Sequence, residues 1–352
     1  MPLVDAKVDL QYKNGGVRME RIPNAVYTKN LPYRISAAFC GSPFIGKTDD
    51  PHRAFYRTAT FAMQIFRLHI VHAEEEPDSL SALQIILAHR ILAPASRMIL
   101  HAYQNVNRPK GLIVKNVLKV TLKGSNVILC ANSDAIRVLK EYGHKGTTEV
   151  IPDEGVDTDF FKPSKTQDSP DHFSVMFAGR FVPEKGLDIL FHANKLLNRD
   201  FRLLMVGTGP EEHELRLMTE ELDIKKHITL LGSHKPAEMP FFINQADVLV
   251  FPSRSSYVWK EQYGRVLLEA MACKVSVFGS DNGAIPEVVD DGGLLFQENN
   301  AEELANCLRH LIDVPWFCKE LGEKGYKRAN TLFSQREIAR KTVEFYRKVA
   351  SQ

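Results

Sequence analysis

The sequence predicts an α/β protein made of two doubly wound, parallel-sheet units, and three observations carry that expectation. Short β-rich apolar runs alternate with amphipathic helical stretches, the pattern of βαβ units. The 352 residues are enough for two domains at about 150 each, both able to bury a core. Between Asp153 and Asp171 the chain turns rich in Asp, Pro, Ser and Lys and loses all periodicity, which marks a linker. The expected division is therefore 1–163, 164–332 and a terminal segment, 333–352.

The alternation is clearest after Phe173. Six runs read as strands: FSVMFAG, FRLLMVG, HITLLG, ADVLVFP, VSVFGS and GLLF. Helices are expected between them, among them 187–197, where Leu187, Leu190, Ala193 and Leu197 share one face, and 301–312. In the first half VRMERI, LHIVHA, RMILHA, NVILCAN and TEVIP read as strands, with helices near 80–93, 112–123 and 134–142. The tail SQREIARKTVEFYRKVA reads as a basic amphipathic helix expected to pack back toward the first unit.

Composition narrows the class. With 44% hydrophobic and 25% charged residues, the chain is neither disordered nor fibrous. The most apolar stretch, Leu80 to Leu100, is broken by Gln84, His89, Arg90, Pro94 and Arg97, so no membrane-spanning helix is expected. Cys40, Cys130, Cys273, Cys307 and Cys318 are scattered and never spaced as C-x-x-C. A disulfide framework or structural zinc site is not expected, and a reducing cytoplasm is. The net charge of +2 conceals about +5 up to Pro163 and about −3 beyond it. No acidic residue falls between Asp78 and Asp134, while Arg90, Arg97, Arg108, Lys110, Lys115, Lys119 and Lys123 do. That stretch attracts anions.

In open α/β sheets ligands bind beyond the carboxyl ends of the strands, so chemistry is sought there. Gly179-Arg180 and Lys185 follow the first strand of the second unit; two cations at a strand mouth can grip a diphosphate, and a solvated basic loop explains them about equally well. Gly207 and Gly209 form a G-x-G that taken alone reads as a tight turn. The sharpest feature is 260–272, KEQYGRVLLEAMA. Its carboxylates Glu261 and Glu269 bracket a helix start, roughly 12 Å apart at helical rise. The free N–H groups between them suit a diphosphate, and each carboxylate can accept sugar hydroxyls. An ordinary charge at a helix start is the bland alternative for Glu261, whereas Glu269 lies among Val266, Leu267, Leu268, Ala270 and Met271 and needs partners.

Taken in order, GRFVPEKG, VGTGP, LLGS, ADVLVFPS, the pair Glu261 and Glu269 within EQYGRVLLEAMA, and GSDNGAIPEVV resemble the retaining glycosyltransferases of family 4, which have the GT-B fold. The resemblance covers nearly all of 150–330. It implies two Rossmann-like domains facing across a cleft, and a nucleoside-diphosphate-sugar donor, UDP- or GDP-linked, without cofactor or metal. By the same resemblance Arg180 and Lys185 bind the donor diphosphate, Glu261 the transferred sugar and Glu269 the ribose. The donor pocket also takes in Gly179, Gly207, Gly209, Tyr263, Gly264, Arg265 and Val266, with main chain near Gly264 and Arg265 at the phosphate. Lys274 and Ser276 depart from the family's A-C-G-V-P pattern, which is expected to alter the loop rather than the chemistry.

The first unit departs further. The start, VDLQYKNGGVRMERIP, resembles what usually follows the second strand, so one βαβ unit is expected to be missing, and Asn14-Gly15-Gly16 reads as a turn. Glu74, Glu75 and Glu76 read as a solvated charge run in preference to an acceptor site. His101 is named as a catalytic candidate, although a lone histidine on a strand is more often packed core. Residues 108–123 leave two readings open: a core helix with a solvated basic edge, and peripheral contact with an anionic membrane at its inner face. Nucleic acid is disfavoured, since basic residues do not interleave with exposed aromatics. The expected function is transfer of a hexose-like sugar to a glycan or lipid-linked acceptor in polysaccharide or glycolipid synthesis. Two rivals stay open: a nucleotide-sugar epimerase of GT-B type, and a nucleotide-sugar binder without transfer activity.

Overall fold

The computed structural model describes residues 69–152, 154–164, 172–197, 199 and 201–351, together with four short strands nearer the start. Those are β1 (Tyr12–Lys13) paired antiparallel with β2 (Gly16–Val17), and β3 (Phe44–Gly46) paired antiparallel with β4 (Ala54–Tyr56). The chain reverses between Lys13 and Gly16, where a turn is expected. The rest of the expected strand over 17–22, and the expected loss of a first βαβ unit, fall outside the described residues.

The first sheet is parallel and sequential: β5 (Ile70–Ala73), β6 (Arg97–Ala102), β7 (Val127–Cys130) and β8 (Thr147–Val150) lie side by side in that order. Helices Leu80–Leu92, Leu112–Gly124 and Ser133–Glu141 connect them. Their starts follow local chemistry, for Ser79 accepts the Ala82 N–H and Asn132 accepts the Ala135 N–H, closing donors that a helix N-terminus leaves open. Ile86, Leu118, Leu122 and Leu139 pack on one face of this sheet with Leu100 and Ile128. The other face, presenting Ile99, Val127 and Leu129, is covered by Ile338, Phe345 and Val349 of the final helix, Gln335–Ala350, which Ser334 caps.

The second sheet has six parallel strands in the order β11-β10-β9-β12-β13-β14. They are β9 (Phe173–Ala178), β10 (Phe201–Val206), β11 (Ile228–Gly232), β12 (Val248–Phe251), β13 (Ser276–Ser280) and β14 (Leu294–Phe296). The four inner strands are legible as apolar runs because central parallel strands are buried on both faces, whereas the edge strands β11 and β14 are apolar runs only partly buried. Every residue of β12 and β13 is buried. Strand order reverses between β9 and β12, so the loops leaving these neighbours run in opposite directions and open a crevice at their carboxyl ends.

Candidate active site

The crevice is bordered by the loop after β9, carrying Gly179 to Gly186, and the segment after β12, carrying Pro252 to Gly264. Lys185 ends a short 3-10 turn, Pro183–Lys185. Its Nζ lies 2.5 Å from Glu261 Oε2, 4.5 Å from the centroid of Phe251 and 5.1 Å from that of Trp259. The pair is largely shielded, with side-chain exposures of 16% and 12%. An ammonium has three protons, so the bond to Glu261 leaves two for an incoming anion. Arg180, five residues earlier, is exposed and has no ion-pair partner among the described residues.

Glu261 does not stand in the helix. The helix is Arg265–Ala272, entered through Gly264 at φ 72, so the spacing of about 12 Å expected from helical rise does not apply between Glu261 and Glu269. Glu261 instead folds back over the helix start, and its Oε1 accepts the Gly264 N–H at 3.2 Å. The carboxylate thus serves two partners: Oε1 takes the Gly264 N–H and Oε2 meets Lys185. Its main chain is held as tightly, with Glu261 N donating to Asn282 Oδ1 at 2.8 Å. Asn282 is fixed by Ser255 and Glu298, and Glu298 also accepts from Ser255 N and Oγ. Burial would raise the Glu298 carboxyl, yet the bonds from Asn282 and Ser255 hold it below the ordinary carboxylate range.

Glu269 sits half-buried one turn inside the helix, where burial pushes its pKa up and Arg265 draws it partly back. The expectation that this carboxylate needs a partner meets no side-chain hydrogen bond to it among the described residues. Arg265 itself pairs with Glu154, whose carbonyl also accepts the Tyr263 hydroxyl at 2.8 Å. These two side chains therefore tie the helix start to the segment joining the units, while the Gly264 N–H, expected to meet phosphate, is taken by Glu261 Oε1. Val266 packs partly buried against the core. At the G-x-G, a Cβ on Gly207 would lie 1.8 Å from the Gly179 carbonyl oxygen and one on Gly209 2.2 Å from that of Phe181. These glycines bring the loops after β9 and β10 into backbone contact.

The first unit contributes differently from the expectation. Of Glu74, Glu75 and Glu76, only Glu74 is exposed. Glu75 accepts from Ser79 and Ser81, and Glu76 accepts the Tyr103 N–H at 2.7 Å. Burial raises Glu76 to a pKa of about 7, because a run placed where β5 ends is folded inward over the sheet. His101 is 1% exposed and stacked between His72 and Tyr103. Burial lowers its pKa to about 4, so the ring is neutral. What sequence reasoning missed are Asn105 and Asn132, which reach across to Glu261 and Gln262 with bonds of 2.7 and 2.8 Å to their carbonyls.

With this geometry in view, comparison with known proteins is informative. Anabaena HepE, solved in complex with UDP, superposes at a TM-score of 0.72 with 19% identity, covering 83% of this chain and 81% of that one. Sucrose-phosphate synthase from Thermosynechococcus elongatus gives 0.66 at 21% identity, covering 83% and 76%. The fold is GT-B. Residues 158–328 match the family model Glycosyl transferases group 1. An uncharacterized glycosyltransferase of Methanocaldococcus jannaschii is 30% identical over 236 residues, 61% of this chain and 65% of that protein. The gpi3 subunit of the fission yeast Schizosaccharomyces pombe phosphatidylinositol N-acetylglucosaminyltransferase is 24% identical over 69% of this chain and 53% of its own length. A GDP-mannose-dependent phosphatidylinositol monomannoside mannosyltransferase of Mycobacterium tuberculosis is 27% identical over 73% and 71%. The chain spans less than two thirds of the first two relatives. Among the described residues, no helix is long and apolar enough to cross a membrane.

Proposed function

We propose that this protein transfers a sugar from a nucleoside-diphosphate sugar to an acceptor hydroxyl with retention of anomeric configuration. One observation carries the reading: at the topological switch point a cationic loop, a helix start and a carboxylate converge, with Lys185 bound to Glu261 at 2.5 Å and Arg180 left exposed beside it. In this reading the diphosphate lies against Arg180, Lys185 and the first amides of the Arg265–Ala272 helix, where N–H groups and dipole favour negative charge. Glu261 accepts hydroxyls of the transferred sugar and Glu269 those of the ribose. As the bond from the anomeric carbon to the leaving phosphate oxygen breaks, charge grows on the diphosphate and the fixed cations stabilise it. The acceptor oxygen bonds to the anomeric carbon on the same face, and its proton passes to the departing phosphate.

Relatives favour particular substrates. The HepE complex holds UDP and the mycobacterial enzyme is named for GDP-mannose, so UDP- and GDP-sugars are the donors we propose. Two relatives are named for phosphatidylinositol-based acceptors, which supports a lipid-linked acceptor. Leu112 and Ile113, 80% and 77% exposed, begin a helix that also exposes Lys115, Lys119 and Lys123. That face suits peripheral contact with an anionic membrane.

A thermal-shift screen of UDP-, GDP- and ADP-sugars tests the reading, since a ligand at a hundredfold its Kd stabilises the native state by about 2.7 kcal/mol. At least one is expected to raise the melting temperature, and Glu269→Ala to abolish the rise. A shift that survives Glu269→Ala, or no shift with any of them, overturns the assignment. NMR of the product reads the anomer.

A further inference from the structure

Every charged group proposed above to meet the donor belongs to the second unit, yet the peptide carrying Glu261 is held by both. Asn105, just beyond β6, donates from Nδ2 to the Glu261 carbonyl at 2.7 Å. Asn132, just beyond β7, donates from Nδ2 to the Gln262 carbonyl at 2.8 Å. Both are nearly inaccessible, at 2% and 1% exposure. The orientation of Asn132 is fixed by its other end, because Oδ1 accepts the Ala135 N–H at 2.9 Å and only the amino group is left to reach across. From the opposite side Asn282 takes the Glu261 N–H and Ala284 N donates to the Glu261 carbonyl at 3.0 Å.

We propose that Asn105 and Asn132 form an amide clamp by which the first unit positions the segment from Glu261 to Gly264, making them positioning residues for the transfer. The inference rests on the functional reading above. Its physical basis is that a buried carbonyl without a donor is costly, whereas the same carbonyl in water is satisfied. With the units together both carbonyls are paired, that of Glu261 in a buried bond and that of Gln262 in a part-buried one; with the units apart water takes the place of the two amides at little net cost. The main chain of Glu261 is therefore fully fixed only when the cleft is closed. Its Oε1 bond to Gly264 N and Oε2 bond to Lys185 inherit that placement. Neutral amides suit the task, since they add no charge beside a site that must receive a diphosphate.

Two variants test the clamp in the whole 352-residue chain. Asn105→Ala removes one donor. Asn132→Ser removes the other while keeping a neutral oxygen to cap the helix, so its melting temperature is expected to fall by only about 2–4 °C, as loss of one such bond implies. Hydrogen exchange over 259–267 is expected to quicken about fivefold in each variant, as loss of one such bond implies, with β9 and β12 unchanged. Donor turnover is expected to fall about tenfold in kcat with donor KM within about twofold of wild type, the signature of a misplaced group. Wild-type exchange in both variants, or Asn132→Ser with unchanged kcat, overturns the clamp. Should wild type bind no UDP- or GDP-sugar in calorimetry, the functional reading falls, and the exchange experiment alone decides the clamp.

Discussion

Gly283→Ala tests how rigidly the site is held, because Gly283 abuts the main chain of Glu261. A Cβ there would lie 2.2 Å from the Glu261 carbonyl oxygen and 2.9 Å from its nitrogen, on a residue with φ 52. Ordinary contact begins at 3.4 Å, so the peptide must retreat by about 1.2 Å. The backbone term costs about 1–2 kcal/mol for a non-glycine residue in the left-handed region. Retreat also breaks the bonds to the Glu261 carbonyl from Asn105 and Ala284, at about 1 kcal/mol each. The total is about 3–4 kcal/mol, a fall of roughly 10 °C in melting temperature for a domain of this size. Gly143→Ala supplies the control: it has φ 85 and nothing within 4 Å of its Cβ, so only the backbone term of about 1–2 kcal/mol applies. Differential scanning calorimetry of the two variants measures the difference. Equal melting temperatures would mean that Glu261 is free to move, and the argument for a rigidly placed carboxylate would fail.

Other expectations follow from single residues. Lys185→Ala is expected to weaken nucleoside-diphosphate binding by at least about tenfold, since it removes a charge-assisted contact, and titration calorimetry measures it; unchanged affinity would place the diphosphate elsewhere. Glu76 has a native pKa of about 7 against an ordinary 4.5, so its ionisation costs stability as pH rises through that window, up to about 3 kcal/mol. Glu76→Gln keeps the acceptor for the Tyr103 N–H and is expected to be more stable than wild type in urea at pH 8 and no different at pH 4; equal midpoints at both would refute the shift. His72 and His101 are lowered to about 4 by burial, so wild type is expected to lose stability as pH falls from 6.5 to 4. His101→Phe, which keeps a stacked ring, should flatten that acid limb and leave turnover within about twofold, while a hundredfold loss of kcat would restore His101 as a catalyst.

The second sheet was almost wholly legible because its inner strands are buried on both faces and announce themselves as apolar runs, as in VLVF of β12 and SVFGS of β13. Helix starts were legible where a side chain with a local partner caps them, as Ser79, Asn132, Asn300 and Ser334 do. Lys274 shows the limit of pattern reading. It takes φ 62 where glycine is the unstrained choice, and its ion pair with Glu323 and its place over the Tyr326 ring offset part of the cost. The departure in sequence changes the side chain while the turn itself persists.

Spacing along the chain could place Arg180 and Lys185 at a strand mouth because both lie within one short loop past β9, which ends at Ala178. It could not reveal that Glu261 turns back to cap Gly264, since distance counted in helical rise assumes a helix where the chain has not yet entered one. Nor could it find Asn105 and Asn132, which stand 156 and 130 residues from their partners and donate to carbonyls, groups that every residue possesses. A charged partner leaves a trace in composition; a backbone carbonyl leaves none. The contacts that join the two units across the cleft are therefore the part of a GT-B site least visible to motif reading, and the orientation of Glu261 depends on them as much as on its own side chain.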